Sequence, residues 1–177
     1  MILNLASWGF AFTFLALAWL FARGTRKFPG LWTRLPRHRI LGEILGVACL
    51  WWAGQHACGM LEGGLAKFRI IIRLLVPVVA IVAYSRLDYL FARALGGFFT
   101  LMAILLLHQA FVVHLPARAI YSTTCYIIGI AGLYLLGAPW RFRDILEKTK
   151  DCASWRRTLT AISSALAIVL IVWPLLG

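Results

Sequence analysis

Six long apolar runs separated by short basic segments divide the chain: roughly residues 2–22, 40–60, 68–85, 93–113, 119–138 and 158–176. At a rise of about 1.5 Å per residue, some 20 helical residues cross the roughly 30 Å hydrocarbon layer of a bilayer. Lipid offers the backbone no hydrogen-bond partners, so runs of this length predict helices. The third run is the least regular. It opens on Arg69 and Arg73 and contains Pro77, which predicts a kink.

The segment APWRFRDILEKTKDCASWRR breaks the apolar pattern. Phe142, Ile145, Leu146 and Thr149 fall on one helical stripe, with charges around it. Pro139 suits a first helical turn. Asp144 with Lys148, and Arg143 with Glu147, stand at ion-pair spacing. Trp140 and Trp155 suit headgroup level. Together these predict an interfacial amphipathic helix over about 140–155, with Arg141, Arg143, Lys148, Arg156 and Arg157 contacting anionic lipid.

Small residues predict where helices approach closely. Gly42 and Gly46 form a GxxxG pair, as do Gly59 and Gly63. Ala92 and Gly96 give a looser version, and Gly129 and Gly132 stand three apart.

Composition supports a membrane setting. Of 177 residues, 62% are hydrophobic and 14% charged, whereas a soluble domain is nearer half apolar and about 25% charged. Mean hydropathy is +0.86. The net charge of +12 would suggest nucleic acid in a soluble protein. Here the basic residues sit between apolar runs, the pattern of loops on an anionic cytoplasmic leaflet, and nucleic acid is not an expected partner. Four cysteines form no CxxC pair.

The charge sorting gives a topology. With six spans, the basic residues of segments 23–39, 86–93 and 139–157 fall on one side, fourteen of the 18. Lys67, Arg69, Arg73 and Arg118 fall on the other. An odd number of spans would break this sorting. The expected fold is therefore an all-α integral membrane protein, residues 1–177 forming one polytopic domain of about six transmembrane helices plus one cytoplasmic interfacial helix, with both termini outside. The N-terminal run lacks a basic segment ahead of it and reads as a retained span, not a signal peptide. Compact loops and the charge bias fit a bacterial inner membrane.

Candidate chemistry gathers at the outer end. His56, Cys58, His108, His114, Lys67, Arg69, Arg73 and Arg118 share that side, and only Glu62 opposes them. Arg69 and Arg73 stand four apart on one helix face, and a guanidinium binds phosphate or carboxylate in a bidentate way. With His56, His108, His114 and Arg118 they form a candidate site for an anionic solute or lipid headgroup. His56 and His108 also lie at similar depth in spans 2 and 4, about 24 and 22 Å from their starts, so haem b held between them is an alternative. A metal held by His56, Cys58 and His108 or His114, and a Cys58–Cys125 disulfide, are weaker readings. Glu43 is expected to pair with Arg39, and Asp88 with Arg86 or Arg93. Mid-membrane acids, phosphate loops and zinc-protease motifs are absent from the sequence.

The expected role is non-enzymatic: a small accessory or structural subunit of a membrane assembly, without a cofactor, contacting the bilayer, anionic cytoplasmic lipids and partner subunits. The alternatives are a carrier or binder of an anionic solute or headgroup, and a haem b electron-transfer subunit.

Overall fold

The structure is a computed structural model describing residues 2–24, 27, 30, 34–61, 63–112 and 118–175. Every regular element among these is helical. The long helices are α1 (Ile2–Trp19), α2 (Arg39–Met60), α3 (Arg69–Arg86), α4 (Leu90–Val112), α5 (Arg118–Gly137) and α7 (Ala153–Val172). The short helix α6 (Trp140–Asp151) joins α5 to α7. A π turn (Leu20–Gly24) ends α1, and 3₁₀ turns cover Gly63–Phe68 and Trp173–Leu175.

All six apolar runs thus form helices, but only three of them reach the length and apolarity of a membrane-crossing helix among the described residues. These are Leu90–Val112, Ala119–Gly137 and Ala153–Val172, with mean hydropathies of 2.1, 1.6 and 1.4. The expectation of six such helices is corrected to that extent, and for α2 and α3 the reason is visible in their composition. α2 opens on Arg39 and Glu43 and carries Gln55 and His56. α3 has arginines at its first, fifth and last positions. In α1 the side chains are described from Ser7 onward.

Contacts fix the helix directions. Between α4 and α5, Arg93 meets Leu136, Gly96 meets Gly132 and Ala103 meets Gly129, so the two run antiparallel. Between α2 and α3, Gly54 meets Val76 and Ile72, and Cys58 meets Arg69, again antiparallel. α2 and α4 are parallel: Gly42 meets Leu90 and Phe91, Gly46 meets Ala94, and Trp52 meets Phe98. In α1, Ser7 meets Tyr121 of α5, and Phe14 stacks on Phe99 of α4. Helices that follow one another therefore alternate in direction from α1 to α5. The start of α2, the α3–α4 turn and α6 gather at one end of the bundle, called here the basic end. The α2–α3 hairpin and the start of α5 lie at the opposite end.

α4 is the central helix. Ala92, Met102, Leu106 and Ala110 on it are fully buried, and Phe14, Phe99, Tyr121, Ile128 and Leu170 close around them. Three threonine hydroxyls are satisfied locally, whereas the buried Ser122 hydroxyl has no partner among the described residues. Thr13 bonds the Phe10 carbonyl, Thr100 that of Gly96 and Thr124 that of Ile120. Such back-bonding removes the cost of a polar group in an apolar interior. Ser7 and Tyr121, both buried, share a hydrogen bond of 3.2 Å across α1 and α5.

The small residues divide by use. A Cβ on Gly96 would stand 2.7 Å from the Gly132 carbonyl oxygen, and one on Gly42 would stand 2.6 Å from the Phe91 nitrogen. Backbones meet at both points. Gly46 only faces Ala94 Cβ at 3.9 Å. The Gly59–Gly63 pair is not a helix seam: α2 ends at Met60, and a Cβ on Gly59 would meet nothing within 4 Å outside its own helix turn. Pro77 lies inside α3, which stays helical to Arg86.

α3 stands apart. Residues 69, 72, 76, 80 and 83 line its seam to α2, at spacings of three and four, and Ala80 is its only buried residue among those described. Ile70, Leu74 and Ile81 are 67%, 64% and 69% exposed.

α6 confirms the expected stripe, with Phe142, Leu146 and Thr149 buried and Ile145 half-buried. Its end differs. Cys152 is extended (φ −112°, ψ 114°), so the helix stops at Asp151 and α7 begins at Ala153. Trp155, Arg156 and Arg157 therefore belong to the first turns of α7, not to α6.

Candidate functional site

At the opposite end, the α2–α3 hairpin is closed by Arg69. Its Nε donates to the Leu61 carbonyl at 3.1 Å, and one terminal nitrogen donates to the same oxygen. A cation on the last carbonyls of a helix meets the negative end of its dipole and satisfies an acceptor the helix leaves open. The Cys58 thiol donates to the Arg69 carbonyl at 3.8 Å, tying the hairpin a second time. Arg69 is therefore largely committed within the chain. Arg73, one turn on, is exposed and makes no hydrogen bond or ion pair among the described residues. Lys67 holds its ammonium over the Phe68 ring at 5.8 Å, a cation–π contact. Glu62 and His114 lie outside the described residues, and Arg118 is described by its backbone alone, as the first residue of α5.

The two described histidines of the expected site are not brought together. His56 is exposed and tilts against Trp52 at 6.1 Å between ring centroids. His108 is exposed on α4. The register of α2 against α4 sets Gly46 beside Ala94 and Trp52 beside Phe98. His56 then lies level with the region of Met102, and His108 stands about 6–9 Å farther along, at about 1.5 Å per residue. The register therefore sets the two imidazoles at different levels of the bundle, where the sequence spacing suggested similar depth. Among the described residues no three of His, Cys, Asp and Glu form a metal-holding group. Cys58 and Cys125 are free, buried thiols on helices that face different neighbours.

The basic end holds more built geometry. The first turn of α2 and the α3–α4 turn frame a cleft of about 400 Å³ lined by Arg37, Arg39, Leu87, Asp88, Tyr89 and Leu90. His38 caps α2, its Nδ1 accepting the Leu41 N–H at 3.2 Å. The close contact of Gly42 on Leu90 and Phe91 locks the two helix starts together. Tyr89 sits at φ 56°, a left-handed conformation uncommon for a bulky side chain. This places its ring under Arg37, whose guanidinium lies 4.8 Å from the centroid and donates to the Tyr89 hydroxyl at 2.9 Å. The hydrogen bond to Tyr89, with a smaller contribution from the nearby Asp88 charge, raises the Arg37 pKa above its ordinary value. Arg39 lies over the Tyr84 ring at 6.0 Å.

The carboxylates do not pair as their spacing suggests. Glu43 makes no ion pair within 4 Å among the described residues, and Arg39 has turned to Tyr84. Asp88 likewise has none, and it lines the cleft. Arg93 donates to the Leu136 carbonyl at 3.0 Å, capping the end of α5. On α6, Asp144 pairs with its neighbour Arg143 at 3.3 Å instead of Lys148, and Lys148 lies over Trp155 at 5.9 Å. Arg141, Lys148 and Arg157 are exposed, whereas Arg143 and Arg156 are half-buried.

Sequence reasoning missed His38, Arg37, Tyr84 and Tyr89 as a unit. The aromatics of the α3–α4 turn beside a basic segment were a signal for cation–π contacts, but the left-handed Tyr89 has no marker in the sequence. No known protein family, curated protein or solved structure matches this chain.

Proposed function

We propose that the chain is a multi-pass membrane protein crossing six times through α1–α5 and α7, with α6 on the cytoplasmic surface and the basic end inside. Residues 2 and 175 then lie on the outer side, and a bacterial inner membrane fits the compact loops. Its role is that of a small, non-enzymatic subunit that docks against another membrane protein through α3.

The observation carrying this reading is the isolation of α3. It packs on α2 along one narrow seam and leaves the rest of its circumference, almost wholly apolar, uncovered. Lipid tails would cover such a surface, but Arg73 argues for a protein. It sits a turn inside the helix, exposed and without a partner among the described residues. A guanidinium in an apolar layer is costly unless an anion or water meets it. A partner helix with a carboxylate near its outer end would meet Arg73 and cover Ile70, Leu74 and Ile81 together. The solid core supports a role in packing, not in passage: Phe14, Phe99, Met102 and Leu106 fill the bundle centre. The headgroup-carrier alternative is weakened by the commitment of Arg69 to Leu61.

Photo-crosslinking in the native membrane tests this. A photoreactive residue at Leu74 or Ile81 should capture one discrete polypeptide, while the same probe at Ile130 on α5 should capture lipid. Lipid adducts at all three positions would contradict the subunit reading.

A further inference from the structure

The cleft at the basic end has a chemistry of its own. Arg37 and Arg39 are exposed guanidinium groups on the same wall, each held by an aromatic ring. Arg37 spends one of its five N–H donors on Tyr89. The remaining donors can take phosphate oxygens in a forked geometry. Asp88 sits in the same cleft without an ion pair among the described residues, although two arginines line it too. Two cations and an unmet carboxylate in one recess suit a ligand carrying both signs. The cleft volume of about 400 Å³ lies within the roughly 300–1,000 Å³ usual for small-molecule sites. Leu87 and Leu90 line the cleft beside the charged groups, giving the ligand's carbon chain an apolar wall. The frame is rigid, because Gly42 brings the starts of α2 and α4 into backbone contact.

We propose that this cleft binds a phosphoester bearing a primary amine, the phosphoethanolamine unit, with Arg37 and Arg39 on the phosphate and Asp88 on the ammonium. Such a unit occurs as a lipid headgroup and as a free phosphoester. The proposal needs no partner subunit, so it stands or falls separately from the docking of α3.

The test uses the purified full-length chain in mild detergent. Binding is read by native mass spectrometry with short-chain phosphatidylethanolamine, phosphatidylglycerol and phosphatidylcholine, and with soluble glycerophosphoethanolamine. The wild-type chain should retain phosphatidylethanolamine over the other two lipids. Asp88→Asn should abolish that preference while phosphatidylglycerol still binds. Arg37→Ala or Arg39→Ala should weaken both lipids, roughly tenfold for one charge-assisted hydrogen bond. Gln55→Ala, exposed at the far end of α2 from the cleft, should change neither. Retention of the soluble compound with the same dependence on Asp88 would support the site and add the free phosphoester as a source; retention of the lipid alone would support it with the membrane as the source. Equal retention of all three lipids, an unchanged preference in Asp88→Asn, or an equal loss in Gln55→Ala would each overturn it. Asp88 is exposed and asparagine is isosteric, so this variant decides the matter even if Arg37→Ala loosens the turn.

Discussion

Single residues decide where this bundle is tight. A Cβ on Gly132 would stand 2.6 Å from Thr100 Oγ1 and 2.7 Å from the Gly96 carbonyl oxygen, so α4 and α5 would have to part. Gly132→Ala should therefore lower stability by about 1–3 kcal/mol, whereas Gly59→Ala, with open space around it, should stay within about 0.5 kcal/mol. Thermal melting in detergent distinguishes the two. Arg69→Ala should cost about 1.5–3 kcal/mol through the lost charged hydrogen bonds. Arg73→Ala should leave melting unchanged and, on the docking reading, weaken association. If Arg69→Ala melts like the parent, the hairpin clamp is not a stabilising contact. Of these residues the sequence showed the glycines as small-residue seams, but not which ones meet backbone. Spacing alone cannot separate Gly96, pressed on Gly132, from Gly59, which faces nothing, because the difference lies in a partner helix far away in the chain. The same holds for Arg69. Its spacing to Arg73 suggested a shared ligand face, while the carbonyl it serves belongs to the turn that ends α2.

Among the elements, the helices themselves were legible in the apolar runs, and their bounds moved by a few residues. The run from 158 to 176 begins as a helix five residues earlier, at Ala153, because α6 ends on an extended Cys152 that only the fold reveals. The buried stripe of α6 was legible, since a period of 3.6 is a strong local signal. Its ion pairs were not, because exposed charges choose among several neighbours of similar energy. Leu146 is fully buried. Leu146→Ala should then cost about 2–5 kcal/mol and expose the α6–α7 junction to trypsin at Lys148 and Lys150. Limited proteolysis that cuts parent and variant at equal rates would show that α6 is not docked through Leu146. The isolation of α3 had only a faint forerunner in the sequence: two arginines and a proline made it the least regular run.

For the whole molecule, alternation is the property from which the rest follows. Contacts reverse direction at each step from α1 to α5, and this gathers Arg23, Arg34, Arg37, Arg39, Arg86, Arg93 and the cations of α6 at one end. Charge counting along the chain foretold that sorting, because loop charge is a one-dimensional quantity. The cleft at the basic end was not foretold, since it joins Arg37 to Tyr89 across 52 positions of sequence. The outer Arg and His cluster was foretold as one site, and the described part of it separates into a hairpin clamp, a lone exposed arginine and two histidines at different levels. Whether α3 itself crosses the membrane is the hinge of the six-span reading. Lys67 and Cys152 are separated by α3, α4 and α5, and both are exposed, whereas Cys49, Cys58 and Cys125 are buried and give little background. The decisive measurement is labelling of Lys67→Cys and of native Cys152 by a membrane-impermeant maleimide in sealed vesicles of known orientation. Three crossings between them should place the two thiols on opposite faces, with Cys152 inside. Labelling of both from the same face would mean that α3 does not cross, and the six-span arrangement would fall with it.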